Sequence, residues 1–199
     1  MITINITLPV VFGLPGLYLI LKMRKSIIFI DGNNFYHNLK KVINKPKEID
    51  FNKLSKLICS KFNLDLVEIR YYNSVPKKSK EENYEKHLRF LEELKKDRII
   101  VNTRELHGKG EYKREKGIDI LIAVDMINKC LIKNECDVCI LITGDADFLP
   151  VMQIIKDSKK EAIISSVYSG FSNRFREGKF RYLILKEQNI LNCLRDKKN

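Results

Sequence analysis

Four aspartates are placed where they could act together: Asp31 in the run 30–34 (IDGNN), Asp145 and Asp147 in 143–147 (TGDAD), and Asp119 at the head of an apolar run. Clustered carboxylates cannot all stay ionised without a positive charge between them. Oxygen-only donors suit a hard cation, Mg²⁺ or Mn²⁺, rather than zinc or copper. Such an ion activates a water molecule and stabilises the charge that develops on phosphate oxygens. The chemistry this points to is metal-assisted hydrolysis of a phosphodiester. Each aspartate also has a simpler reading. Asp31-Gly32 can be a turn, Asp145 or Asp147 a helix N-cap, and Asp119 a residue favouring the positive end of its helix. Asp125 lies six residues beyond Asp119 and points roughly 120° away on a helix, which makes it the weaker candidate.

Convergence of these residues requires particular elements. Residues 26–31 (SIIFID) form a short, β-branched run that predicts a buried strand ending at Asp31. Helices are expected over 35–43 and 51–62, the second capped by Asp50, and a strand over 66–75. A charged helix over 78–97, a strand over 98–106 and a basic loop over 107–116 (HGKGEYKREK) follow. Residues 117–132 are apolar almost all round, which predicts a buried helix. Then come a strand at 137–143, a helix at 148–158, strands at 161–167 and 180–185, and a helix at 187–195. This alternation predicts an α/β layer structure with a mainly parallel sheet. Ligands of such sheets sit beyond the carboxyl ends of the strands. Asp31, Asp145 and Asp147 therefore meet if the strands that precede them are neighbours.

The charge pattern agrees with an anionic substrate. The chain has 199 residues and a net charge of +12, yet residues 117–155 hold two basic and six acidic residues, a net of −4. An acidic island in a basic chain fits a cation pocket surrounded by a surface that holds phosphate. With 44% hydrophobic and 31% charged residues, the composition excludes global disorder and a polytopic membrane protein. Five cysteines form no regular framework, which points to a reducing, cytoplasmic location. Cys136 and Cys139 make a CxxC, but inside an expected strand rather than at a helix N-terminus or among four converging ligands.

Residues 4–21 are uncharged and largely apolar, about long enough to span a bilayer, so residues 1–25 read as an N-terminal extension to a domain at 26–195. Either they anchor the chain in a membrane, with Lys22, Arg24 and Lys25 on the cytoplasmic side, or translation starts at Met23. Membrane association is the less favoured of the two. His37, His87 and His107 have no ligand-like spacing, Gly108-Lys109-Gly110 lacks the pattern of a phosphate-binding P-loop, and no GxSxG element is present.

Residues 29–36 (FIDGNNFY), 115–126 (EKGIDILIAVDM) and 141–150 (LITGDADFLP) together resemble the three motifs of NYN domains, in particular the LabA-like group of the PIN-like nuclease superfamily. The resemblance spans roughly residues 26–190 with the motifs in order. It implies a Rossmann-like, three-layer α/β/α sandwich with a central, mainly parallel sheet. It also implies a divalent-metal site, Mg²⁺ or Mn²⁺, at Asp31, Asp119, Asp145 and Asp147, acting on RNA. Asn34, Thr143 and Lys116 would orient the ligands or contact phosphate. Arg114, Lys116 and the segment around Arg174, Arg176 and Arg181 would engage the RNA backbone. The expected activity is a metal-dependent ribonuclease, with a non-catalytic RNA-binding or regulatory module of the same fold as the alternative. A homo-oligomer is compatible with either.

Overall fold

The computed structural model describes residues 22–44, 46–75, 82–105 and 117–196. Its centre is strand β1 (Arg24–Asp31), whose last six residues are buried. Strands β2 (Leu64–Val75), β3 (Ile100–Glu105), β4 (Val138–Ile142), β5 (Glu161–Val167) and β6 (Arg181–Leu185) complete one sheet in the order β3-β2-β1-β4-β5-β6. Every pairing is parallel, so each strand returns to the same pole through a helix.

Side chains alternate across a strand, so β1 feeds two cores. Ile28 and Ile30 face the first, with Phe35 and Leu39 of α1 (Gly32–Leu39), Leu54 and Ile58 of α2 (Phe51–Phe62) and Leu94 of α3 (Glu82–Lys96). Ile27 and Phe29 face the second. It holds Ile122 and Met126 of α4 (Ile118–Ile127), Met152 and Ile155 of α5 (Leu149–Asp157) and Phe175 of α6 (Arg174–Glu177). A last helix, α7 (Glu187–Leu191), returns Ile190 to the first core. The result is the expected three-layer sandwich with a parallel sheet between helices.

Two elements depart from expectation for physical reasons. Helix α1 starts at Gly32 rather than Phe35, because the Asp31 carboxylate caps it by accepting the Asn34 N–H. The apolar run at 117–132 is not a fully buried helix. It buries the stripe Ile118, Ile122, Met126 and Cys130, while Ile120 and Val124 are 69% and 54% exposed. A helix in an outer layer touches the sheet along one stripe only, whatever the composition of its other faces. Its last turn, Asn128–Ile132, is π-helical.

The turns leading into β2, β3, β4, β5 and β6 each contain a non-glycine residue with positive φ: Asn63 (53°), Arg98 (62°), Asn134 (53°), Lys159 (61°) and Lys179 (52°). Glycine is the residue that left-handed backbone favours at such helix ends, and none of these five positions holds one. All five cysteines are reduced and buried. The Cys130 and Cys136 sulfurs lie 3.2 Å apart, and that contact together with burial pushes the Cys136 thiol up, away from the reactive thiolate. No helix among the described residues is long and apolar enough to cross a membrane, and residues 4–21 lie outside the described residues.

Asp125 belongs to a different assembly from the other aspartates. It accepts from Arg70 Nη2 at 2.9 Å and from the Tyr72 hydroxyl at 2.7 Å, while Arg70 Nη1 donates to Glu68 at 2.7 Å. Burial disfavours the Arg70 charge, but its bonds to Glu68, Tyr72 and Asp125 outweigh it and hold the guanidinium protonated. Asp125 therefore ties α4 to β2. Replacing it with alanine leaves the Arg70 guanidinium with Glu68 as its one carboxylate and takes the acceptor from the Tyr72 hydroxyl, and we expect Asp125→Ala to cost about 2 kcal/mol in a urea melt. A loss under 1 kcal/mol (about the value of an exposed pair) would show that this network does not hold the helix.

Candidate active site at the switch point of the sheet

Strands β1 and β4 are neighbours, with Ile30 opposite Ile142, so Asp31 and Thr143 emerge side by side at their carboxyl ends. The chain leaves β1 toward β2 on one side while β4 lies on the other. Strand order reverses here, which opens the crevice that parallel α/β sheets use for ligands.

Thr143 is fully buried and bridges the two strands: its Oγ1 donates to Asp31 Oδ2 at 3.0 Å and accepts the Asp145 N–H at 3.2 Å. Asp31, only 4% exposed, accepts the Asn34 N–H on its other oxygen at 3.1 Å. Asn34 Oδ1 accepts the Gly144 N–H at 2.8 Å and the Asn38 amide at 3.0 Å. Asp145, half-buried, accepts the Asp147 N–H at 2.9 Å and so caps the 3₁₀ turn Ala146–Phe148. Asp31, Asn34, Thr143 and Asp145 thus form one hydrogen-bonded chain, with Asp147 attached through its backbone. The capping reading of Asp145 holds as well, whereas Asp31 caps helix α1 where a turn is the simpler expectation.

Asp147 is exposed, and neither its carboxylate nor the second oxygen of Asp145 accepts a hydrogen bond among the described residues. Asp119 is exposed in the first turn of α4, behind Gly117 at φ 83°. Since α4 runs down to the amino end of β4, its first turn lies at the same pole as the crevice. Among the described residues, however, no three histidine, cysteine, aspartate or glutamate side chains are grouped to hold a metal ion. Arg114 and Lys116 lie outside the described residues. Arg174 and Arg176 sit on α6, and Arg181 opens β6 at the opposite pole from the aspartates.

The chain matches the family described as NYN domain over residues 25–185. It belongs to that family. NYN domains are members of the PIN-like nuclease superfamily, and the match does not separate the LabA-like group from others. The crystal structure of a protein of unknown function from Vibrio parahaemolyticus RIMD 2210633 superposes with a TM-score of 0.66 at 17% identity, covering 87% of this chain and 97% of that one. That likeness concerns the fold. No curated protein matches the sequence.

Several residues of this NYN domain's crevice carry no motif signal of their own. Asn38 stands four residues after Asn34 on the same face of α1, a spacing that identifies the pair in retrospect. Its carbonyl accepts from Ser169 at 3.2 Å, which docks the turn Tyr168–Gly170 beside the site. Tyr71 is buried next to α1, and burial first, with the Asp31 charge added, pushes its phenol up so that it stays neutral. Gly144 is required by contact: a Cβ there would lie 1.7 Å from the Gly170 carbonyl oxygen. The obstacle is backbone, so Gly144→Ala must displace the 168–170 turn. We expect that variant to melt at lower temperature and to lose protection of the Asp145 and Asn34 amides in hydrogen exchange. Wild-type protection would show that the two loops are not mutually supporting.

Proposed function

We propose that this NYN domain is a ribonuclease that hydrolyses RNA phosphodiester bonds at the β1/β4 crevice, with Asp31, Asp119, Asp145 and Asp147 as its catalytic and metal-holding carboxylates. The observation that carries the reading is the hydrogen-bonded chain joining Asp31, Thr143 and Asp145 at the switch point. It stands in a family of nuclease ancestry.

The donor chemistry fits Mg²⁺ or Mn²⁺, since every candidate ligand is a carboxylate oxygen. The side chains are not grouped for one in the present arrangement. When bound, a hard cation lowers the pKa of a water and offsets charge on the phosphate. The protein's own contribution is order. Thr143 and Asn34 hold the Asp31 carboxylate and the Gly144–Asp145 backbone together before substrate arrives. Arg114 and Lys116 would supply cationic side chains to the RNA backbone.

A second reading is favoured by one observation: both Asp31 oxygens already accept hydrogen bonds. A non-catalytic module would use the same crevice to hold RNA without cleaving it. Incubating the full chain with labelled single-stranded and structured RNA, with Mn²⁺ or with chelator, separates the two. We expect metal-dependent cleavage that falls by at least about 100-fold, roughly 2.7 kcal/mol, in Asp31→Asn and in Asp145→Asn. Tight RNA binding without cleavage, unchanged in those variants, would establish the module instead.

A further inference from the structure

At the opposite pole of the sheet, away from the aspartates, the amino ends of β1, β5 and β6 enclose a cleft of about 690 Å³. Six cationic side chains line it: Arg24, Lys156, Lys159, Lys160, Lys179 and Arg181. They are not equivalent. Glu161 pairs with both Arg24 and Arg181, and so holds the two guanidiniums at the rim. Asp137, the other carboxylate in the lining, accepts the Lys25 N–H at 2.9 Å. Lys160 donates to the Cys136 carbonyl at 2.6 Å, and Lys156 lies 5.0 Å from the centre of the Phe180 ring. Lys159 and Lys179 have no ion pair or hydrogen-bond partner for their ammonium groups among the described residues, and both are exposed.

Those two lysines also occupy left-handed turns, at φ 61° and 52°, where glycine costs less. The fold thus presents two unneutralised charges at positions that the backbone alone would give to another residue. We propose that this cleft is a second ligand site that binds phosphoryl groups. Its free cations are lysines, which act on phosphate as point charges, while the forked arginines are occupied by Glu161. It offers no surface for a base: Phe180 is buried, and its ring lies beneath Lys156. The site reads phosphate rather than sequence. The phosphate is carried either by the backbone of an RNA strand or by a free oligophosphate.

The double variant Lys159→Gly, Lys179→Gly tests this without threatening the fold, because glycine suits both turns and its thermal midpoint should equal or exceed that of wild type. Binding is measured in chelator, so the result does not depend on whether the crevice cleaves RNA. Calorimetry with tripolyphosphate and anisotropy with labelled single-stranded RNA are run on the full chain over a salt series. We expect at least one probe to bind about tenfold more weakly to the variant at low salt. If RNA weakens, with a salt slope shallower by about two, its backbone is the natural occupant. If tripolyphosphate alone weakens, the occupant is a free oligophosphate. If neither probe distinguishes the variant from wild type, the proposal is wrong.

Discussion

A strand at the centre of a parallel sheet has to satisfy hydrogen bonds on both edges and bury side chains on both faces, and β1 meets all four demands within eight residues. Its apolar run supplies Ile28 and Ile30 to one core and Ile27 and Phe29 to the other. Its edges pair with β2 and β4. The chain departs on one side and comes back on the other, which opens a crevice beyond the ends of β1 and β4. A charged residue is tolerable at the end of such a strand only if other groups satisfy it, and Asp31 is satisfied by Thr143 and Asn34.

Much of this was legible in the residues themselves. The run at 26–31, its terminal aspartate and the TGDAD segment identify two strand ends and the acidic groups beyond them. Alternation of strands and helices gives the layer class. Sequence alone could not show that the two strands are adjacent, since pairing is a long-range property that local pattern does not encode. Nor could it show that residues 117–132 bury one stripe, because composition records what a helix carries and not which side meets the sheet. Asn38, Gly144 and Gly170 were silent for a similar reason: their importance lies in contacts between distant loops.

The two poles of the sheet differ in electrical character. Carboxylates gather at the ends of β1 and β4, while lysines and arginines gather where β1, β5 and β6 begin. The division follows from the directions of the strands. All six are parallel, so every strand start falls at one pole and every strand end at the other, and residues at equivalent places in successive units accumulate together.

The five left-handed positions held by residues other than glycine also shape the chain before it folds. A lysine, arginine or asparagine explores less backbone space than glycine, so these five hinges narrow the unfolded ensemble. Left-handed strain at Lys159 and Lys179 is felt in the native state, while the restricted freedom is felt in the denatured one, and the two effects oppose each other. The stability of the β5 and β6 connections is thus set partly by conformations that the folded molecule never visits.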